Sequence, residues 1–145
     1  TYSMTGWRLG WVTASTRRIE RMLRVHQYIQ ACASAPAQYA AAEALGGPQD
    51  VVDEMRETFE KRRDLVLSRF EEMGVEVPTP QGAFYAMPRV PDGFVDACID
   101  RGVIVVPGDA FGANGAGHAR ISYANDAATL REALDVIADV VADLR

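Results

Sequence analysis

The sequence predicts an α/β chain in two parts, a strand with helices followed by a small α+β layer, and three observations carry that expectation. Apolar residues recur at helical spacing from Ile19 to Met73. After Gly74 the pattern changes to short apolar runs set between Pro and Gly turns. The final stretch returns to helical spacing, with Leu130, Leu134, Ile137, Val141 and Leu144 at alternating gaps of four and three.

The elements follow in order. Thr1 to Trp11 reads TYSMTGWRLGW, with Trp7 and Arg8 set between Gly6 and Gly10. An Arg among bulky apolar neighbours either snorkels at the rim of a core or is held there to bind an anion. Leu9 to Ala14, apolar with β-branched Val12 and Thr13, reads as a short strand. Ser15 or Thr16 can cap a helix running to about Cys32, with Ile19, Met22, Leu23, His26 and Ile29 at helical spacing. Pro36 interrupts, and the Ala-rich run Ala37 to Leu45 resumes as a second helix ended by Gly46-Gly47-Pro48. Gln49 to Met73 is the longest helix, its stripe formed by Val52, Met55, Phe59, Val66, Phe70 and Met73, with Gly74 as its stop.

Beyond Gly74, Val75 to Val77 alternates apolar and charged residues. Pro78 to Gly82 is a turn in which Gly82 permits the tight bend, and Ala83 to Met87 is an apolar strand whose Phe84 is expected to fill the core. Pro91 and Asp92 open a short helix to about Arg101, closed by Gly102. Val103 to Val106 reads as a buried strand, Phe111 to Gly117 as a glycine-rich loop, mobile from Asn114 onward, and Ala119 to Tyr123 as another strand. Asn125 or Asp126 caps the last helix. Core packing is expected for Tyr2, Tyr85 and Tyr123, although each hydroxyl could face a ligand.

Composition narrows the function. A net charge of −5 argues against non-specific nucleic-acid binding and against an anionic membrane partner. No apolar run approaches the ~20 residues of a membrane span. Cys32 and Cys98, with no metal-type spacing, read as two reduced, packed thiols of a cytoplasmic protein. His26 and His118 are isolated, so no metal site is expected. Lys61 is the only lysine, and in Glu60-Lys61-Arg62-Arg63-Asp64 it reads as part of a solvated helix face. A nucleophilic lysine needs a desolvated pocket, so no catalytic lysine is expected in this chain.

Four blocks carry a resemblance. Thr1 to Trp11 resembles the segment that follows the cofactor lysine in class I/II aminotransferases, the pyridoxal 5'-phosphate (PLP) enzymes of fold type I. Pro80-Gln81-Gly82-Ala83-Phe84-Tyr85 is similar to that family's Pro-x-Gly-Ala-Phe-Tyr turn, and Pro107-Gly108-Asp109-Ala110-Phe111-Gly112 to its Pro-Gly-x-x-Phe-Gly turn. Arg120-Ile121-Ser122-Tyr123 resembles its Arg-Ile-Ser strand. The blocks stand in the family's order across nearly the whole chain, and the likeness is to the aspartate-aminotransferase-like members. The segment between Met87 and Phe94 departs from the pattern, which leaves the start of the following helix open.

The resemblance implies the end of a PLP-transferase large domain, a last strand plus helices, in residues 1–48, a long interdomain helix in 49–73, and a small C-terminal α+β domain in 74–145. It implies that Arg8 helps hold the cofactor phosphate and that Arg120 grips the substrate's α-carboxylate. It also implies a cytoplasmic homodimer of amino-acid metabolism that moves an amino group from an amino acid to a 2-oxo acid. The chemistry agrees with those roles. A phosphate needs fixed donors, and a bidentate arginine sets both the place and the angle of a carboxylate. For Arg120 the alternative is a structural ion pair with a nearby Asp or Glu.

By the resemblance, the Schiff-base lysine immediately precedes Thr1 and so is not in this chain, which by itself is expected to be inactive. Without neighbours, the strand with Trp7, Leu9, Trp11 and Val12 would expose apolar surface, and the isolated chain is expected to associate. Three other readings use the same motifs. One is a different PLP reaction on this fold, such as a lyase. Another is an aminotransferase-like ligand-binding domain of a transcription regulator. The third, an independent interaction module, expects the Trp7–Trp11 strand to be satisfied within the chain.

Overall fold

The computed structural model describes residues 1–145, which divide into two units, Thr1–Glu54 and Met55–Arg145. The first opens with a 3₁₀ turn, Thr5–Trp7, followed by α1 (Thr16–Ile29) and α2 (Ala35–Gly46). Ser15 occupies the N-cap of α1 without a side-chain capping bond. Pro36 lies in the first turn of α2 rather than before it, which corrects the expected interruption. A first-turn proline gives up only an N–H that would have no partner inside the helix. Ala37 and Ala41, one turn apart, are the buried residues of α2. No residue of α1 is buried, and its Leu23, Val25, Tyr28 and Ile29 are exposed.

The strand expected over Leu9–Ala14 is not formed; the segment joins no ladder. A β-type sequence expresses only a preference for a pleated surface, and the strand itself needs the N–H and C=O groups of a second segment. No part of this chain supplies them, and Trp11 and Val12 stand 64% and 61% exposed. Trp7 is exposed as well, while Leu9 is half-buried. Three of the four apolar residues of this segment thus show the surface expected of an unpaired strand, which disfavours the reading in which Trp7–Trp11 is satisfied internally.

The boundary between the units falls inside α3 (Asp50–Glu72), and from Met55 onward this helix belongs to the second unit. Val66 and Phe70 are fully buried there, while Phe59, Leu65 and Met73 are partly covered. Gly74 ends the helix at φ +64°. Its N–H donates to Glu71 O at 2.8 Å and that of Val75 to Phe70 O at 2.9 Å, which satisfies two of the last carbonyls.

Three short antiparallel strands follow: β1 (Tyr85–Ala86), β2 (Val106–Pro107) and β3 (Ala119–Ser122), with β3 in the middle. Between β1 and β2 lies α4 (Phe94–Asp100), which starts after Gly93 and not at Pro91 or Asp92. Val75–Val77 is not a strand, although Glu76 O accepts the Arg89 N–H at 2.9 Å. The buried strand expected over Val103–Val106 begins only at Val106. Val105 is 5% exposed, but Ile104 is 86% exposed. An edge segment has one face toward the core, so a continuous apolar run cannot be buried throughout.

Helix α5 (Ala127–Asp143) closes the unit, laying Leu130, Leu134, Ile137, Val140 and Val141 against Phe70, Phe94, Cys98 and Ile121. Full burial of each large apolar side chain contributes about 1.5–3 kcal/mol. Asp126 caps α5, its Oδ1 accepting from Ala128 N at 2.9 Å and Thr129 N at 3.1 Å. Of the two cysteines, Cys98 packs in this core as expected, while Cys32 is exposed and does not.

Candidate functional site

The period-two alternation of β3 sets the site. Ala119 and Ile121 are buried in the core, which turns Arg120 and Ser122 to the opposite face. The register pairs Tyr85 with Ser122 and Val106 with Arg120, so Tyr85 stands diagonally across from Arg120 on that same face. The guanidinium carbon of Arg120 lies 4.5 Å from the centroid of the Tyr85 ring and 4.3 Å from that of Phe111.

Phe111 reaches this position from a 3₁₀ turn, Gly108–Phe111, directly after β2. A second short turn, Ala113–Gly115, packs its backbone against the first. A Cβ on Gly108 would fall 2.3 Å from Gly115 O, and one on Gly115 would fall 2.0 Å from Gly108 O. Only glycine at both positions allows this approach. The segment Asn114–Gly117, expected as a mobile loop, thus begins as a packed turn.

Arg120 is half-buried, yet no Asp or Glu pairs with it and no oxygen accepts from it. The structural ion pair that was its alternative role is absent. Rings attract a cation through their electron-rich faces but offer no carboxylate to neutralise it. Its donors therefore remain free for an anion, and the fork geometry suits a carboxylate.

The aromatic row continues from Tyr85 to Phe84, 4.5 Å between centroids, and from Phe84 to Phe59 of α3 at 5.8 Å. Arg62 sits over Phe59 at 5.4 Å while its Nη1 donates to Ala124 O at 2.9 Å. Phe84 is 36% exposed, which corrects the expectation that it fills the core. The bend before it is also made differently. Ala83, not Gly82, holds the left-handed conformation, at φ +60°. Buried Tyr123 fastens this bend, its hydroxyl donating to Ala83 O at 3.2 Å and its N–H to Phe84 O at 3.0 Å. Burial raises the Tyr123 pKa, opposed by the charge of Arg63, so the phenol stays a donor at neutral pH.

Arg8 belongs to the first unit. It follows the Thr5–Trp7 turn in a left-handed conformation, φ 53° and ψ 43°. The side chain is exposed, and its Nη1 donates to Thr5 O at 3.3 Å. No carboxylate pairs with it. A guanidinium with one donor engaged by a carbonyl and its charge uncompensated fits contact with a phosphate. Gly6 and Gly10 on either side have no atom within 4 Å of a would-be Cβ.

Lys61 is exposed on α3, and no group of His, Cys, Asp and Glu could hold a metal ion. Cys98, its thiol pushed up to about 11 by burial, is no nucleophile at neutral pH. Sequence reasoning missed the contact of Tyr85 and Phe111 with Arg120. Both residues stand inside recognised blocks, but their meeting at Arg120 depends on strand pairing across distant positions.

Comparison with known proteins shows what the chain as a whole is similar to. The family model described as aminotransferase class I and II matches residues 1–137. Aromatic-amino-acid aminotransferase 2 of Thermococcus litoralis is 44% identical over 144 residues, covering 93% of this chain and 37% of that protein. Aspartate aminotransferase of Pyrococcus abyssi is 42% identical over 144 residues with the same coverage. The chain thus spans little more than a third of these relatives. Among solved structures, the aromatic aminotransferase of Pyrococcus horikoshii OT3 superposes with a TM-score of 0.92 at 41% identity, over 97% of this chain and 40% of that one. Thermus thermophilus aspartate aminotransferase with maleate gives 0.89 at 34% identity, over 95% of this chain and 38% of that one.

Proposed function

We propose, since this chain belongs to the class I and II aminotransferase family, that it serves PLP-dependent transfer of an amino group from an amino acid to a 2-oxo acid. Arg120 receives the substrate's α-carboxylate, and Arg8 contributes to holding the cofactor phosphate. The observation that carries this reading is the free, half-buried guanidinium of Arg120 on the open face of the sheet, held over two rings with no acid to neutralise it. When bound, the cofactor supplies the electron sink for breaking a bond at the substrate's Cα.

The work of this chain's own residues is binding and orientation. Two parallel N–H···O bonds from Arg120 fix the direction of the carboxylate and with it the presentation of Cα–H. The row Tyr85, Phe84 and Phe59 offers an apolar wall beside that anchor, which limits water around it. Arg8, anchored to its own turn through Thr5 O, supplies permanent positive charge for a phosphate dianion.

Residues 1–48 act as the end of the large cofactor domain, 49–73 as an interdomain helix and 74–145 as the small domain. Lys61, the single lysine of these residues, is exposed on α3 and lacks the desolvated pocket that a Schiff-base lysine needs. The working protein is a cytoplasmic homodimer.

The test is Arg120→Leu in the full-length protein with cofactor bound. Losing two hydrogen bonds to a charged group costs about 3–5 kcal/mol, roughly 10²–10³·⁵-fold in amino-acid affinity. Cofactor content, read from its absorbance, should be unchanged. Unaltered substrate affinity in the Leu variant would remove Arg120 from the site.

A further inference from the structure

We infer that Tyr85 and Phe111 are positioning residues for Arg120, holding its guanidinium by their ring faces so that it is oriented without being neutralised. The inference rests on the proposed carboxylate-binding role of Arg120 and adds to it the means by which that arginine is kept ready.

A flexible arginine must be restrained if its fork is to meet a carboxylate at a fixed angle, because the side chain loses rotamer freedom on being ordered. The common restraint is an acidic partner, but an Asp or Glu would occupy the fork and cancel the charge that the ligand needs. Ring faces avoid this competition. They attract a cation and shield it from water, yet accept none of its hydrogen bonds as strongly as an anion would.

At Arg120 the two rings come from separate elements, Tyr85 from β1 and Phe111 from the turn after β2, which flank β3 on either side. The fold invests in keeping both there. Gly108 and Gly115 give up side chains to form the turn that carries Phe111, with Gly108 N–H bonded to His118 O at 2.8 Å. Tyr85 is held by its own ladder and by contact with Phe84. No hydrogen bond of the Tyr85 hydroxyl accompanies the contact, so it is the ring that acts.

The test compares Tyr85→Phe, Tyr85→Leu, Phe111→Leu and Arg120→Leu in the full-length holoenzyme, each assayed with the best amino donor from a panel. Tyr85→Leu and Phe111→Leu should each raise KM for the donor about 10-fold with kcat changed less than about 2-fold. Tyr85→Phe, which keeps the ring and loses the hydroxyl, should restore the original KM. Phe111 is 53% exposed, so its truncation leaves the fold intact and keeps the test informative if Tyr85→Leu fails to fold. If Arg120→Leu raises KM while Phe111→Leu and Tyr85→Leu leave it unchanged, the ring inference fails and the role of Arg120 stands. If Arg120→Leu itself leaves KM unchanged, the carboxylate reading fails first. A Tyr85→Phe variant as impaired as Tyr85→Leu would also overturn the inference, because the hydroxyl would then be the active part.

Discussion

Exchanging the roles of two adjacent residues, Gly82 and Ala83, tests the geometry of the bend that presents Phe84 and Tyr85. Ala83 holds φ +60°, where its Cβ crowds the following carbonyl. That conformation costs an ordinary residue roughly 1–2 kcal/mol and glycine almost nothing. Ala83→Gly removes the strain but adds about 0.5–1 kcal/mol of unfolded-state entropy. The balance is a net stabilisation of about 0–1.5 kcal/mol, centred near 0.75 kcal/mol, or roughly 2–4 °C in Tm at that centre for a chain of this size. Gly82 is not left-handed, and a Cβ placed on it meets nothing within 4 Å. Gly82→Ala should therefore be neutral or stabilising by up to about 1 kcal/mol. Urea denaturation of each variant, followed by circular dichroism, measures both changes. The bond from the Tyr123 hydroxyl to Ala83 O is a backbone contact and survives both exchanges. A loss of about 1 kcal/mol in Ala83→Gly, or a larger loss in Gly82→Ala, would refute the assignment of strain to Ala83 and return the bend to Gly82.

Two further outcomes concern titration and thiol chemistry. The Asp126 carboxylate is held below its ordinary pKa, chiefly by the Thr129 N–H and then by the Thr129 hydroxyl. A depressed carboxylate contributes stability above its unfolded pKa of about 3.9 and loses it as pH falls through the folded value. Asp126→Asn, which keeps a capping oxygen, should therefore flatten the acid end of the stability profile while leaving α5 capped at neutral pH; an unchanged acid limb would show that the cap is not ionised. At pH 8, Cys32 should alkylate rapidly with iodoacetamide, whereas Cys98, at about 11 and buried, should react only on unfolding. Two equally fast thiols in the folded protein would contradict the packing of α4 on α5. Because the Cys98 value is raised, the stability its burial supports is lost as pH climbs from about 9 toward 11.

What could be read from residues alone is whatever depends on near neighbours. The long helix with its stop at Gly74, the capping of α5 by Asp126 and the apolar seam of α5 follow from periodicity and terminal chemistry within a few positions. Arg8 and Arg120 were singled out by the company they keep in short blocks. The family itself was legible in those blocks, and residues 1–137 match its model.

Tertiary structure decided what depends on pairing across distance. Leu9–Ala14 has the composition of a strand, but a strand exists only when another segment completes its ladder, and none here does. Ile104 has the composition of a core residue, but an edge segment gives only one face to the core and leaves Ile104 outside it. Phe84 stands partly exposed in an aromatic row with Tyr85 and Phe59, and the left-handed bend before it is at Ala83 where composition points to Gly82. Arg120 met Tyr85 and Phe111, not an acid, because the order β1-β3-β2 brings residues far apart in the chain onto one sheet face. Local chemistry thus chose the helices and named the arginines, while strand pairing chose their neighbours, since register is a property of two segments and cannot be written into either one alone.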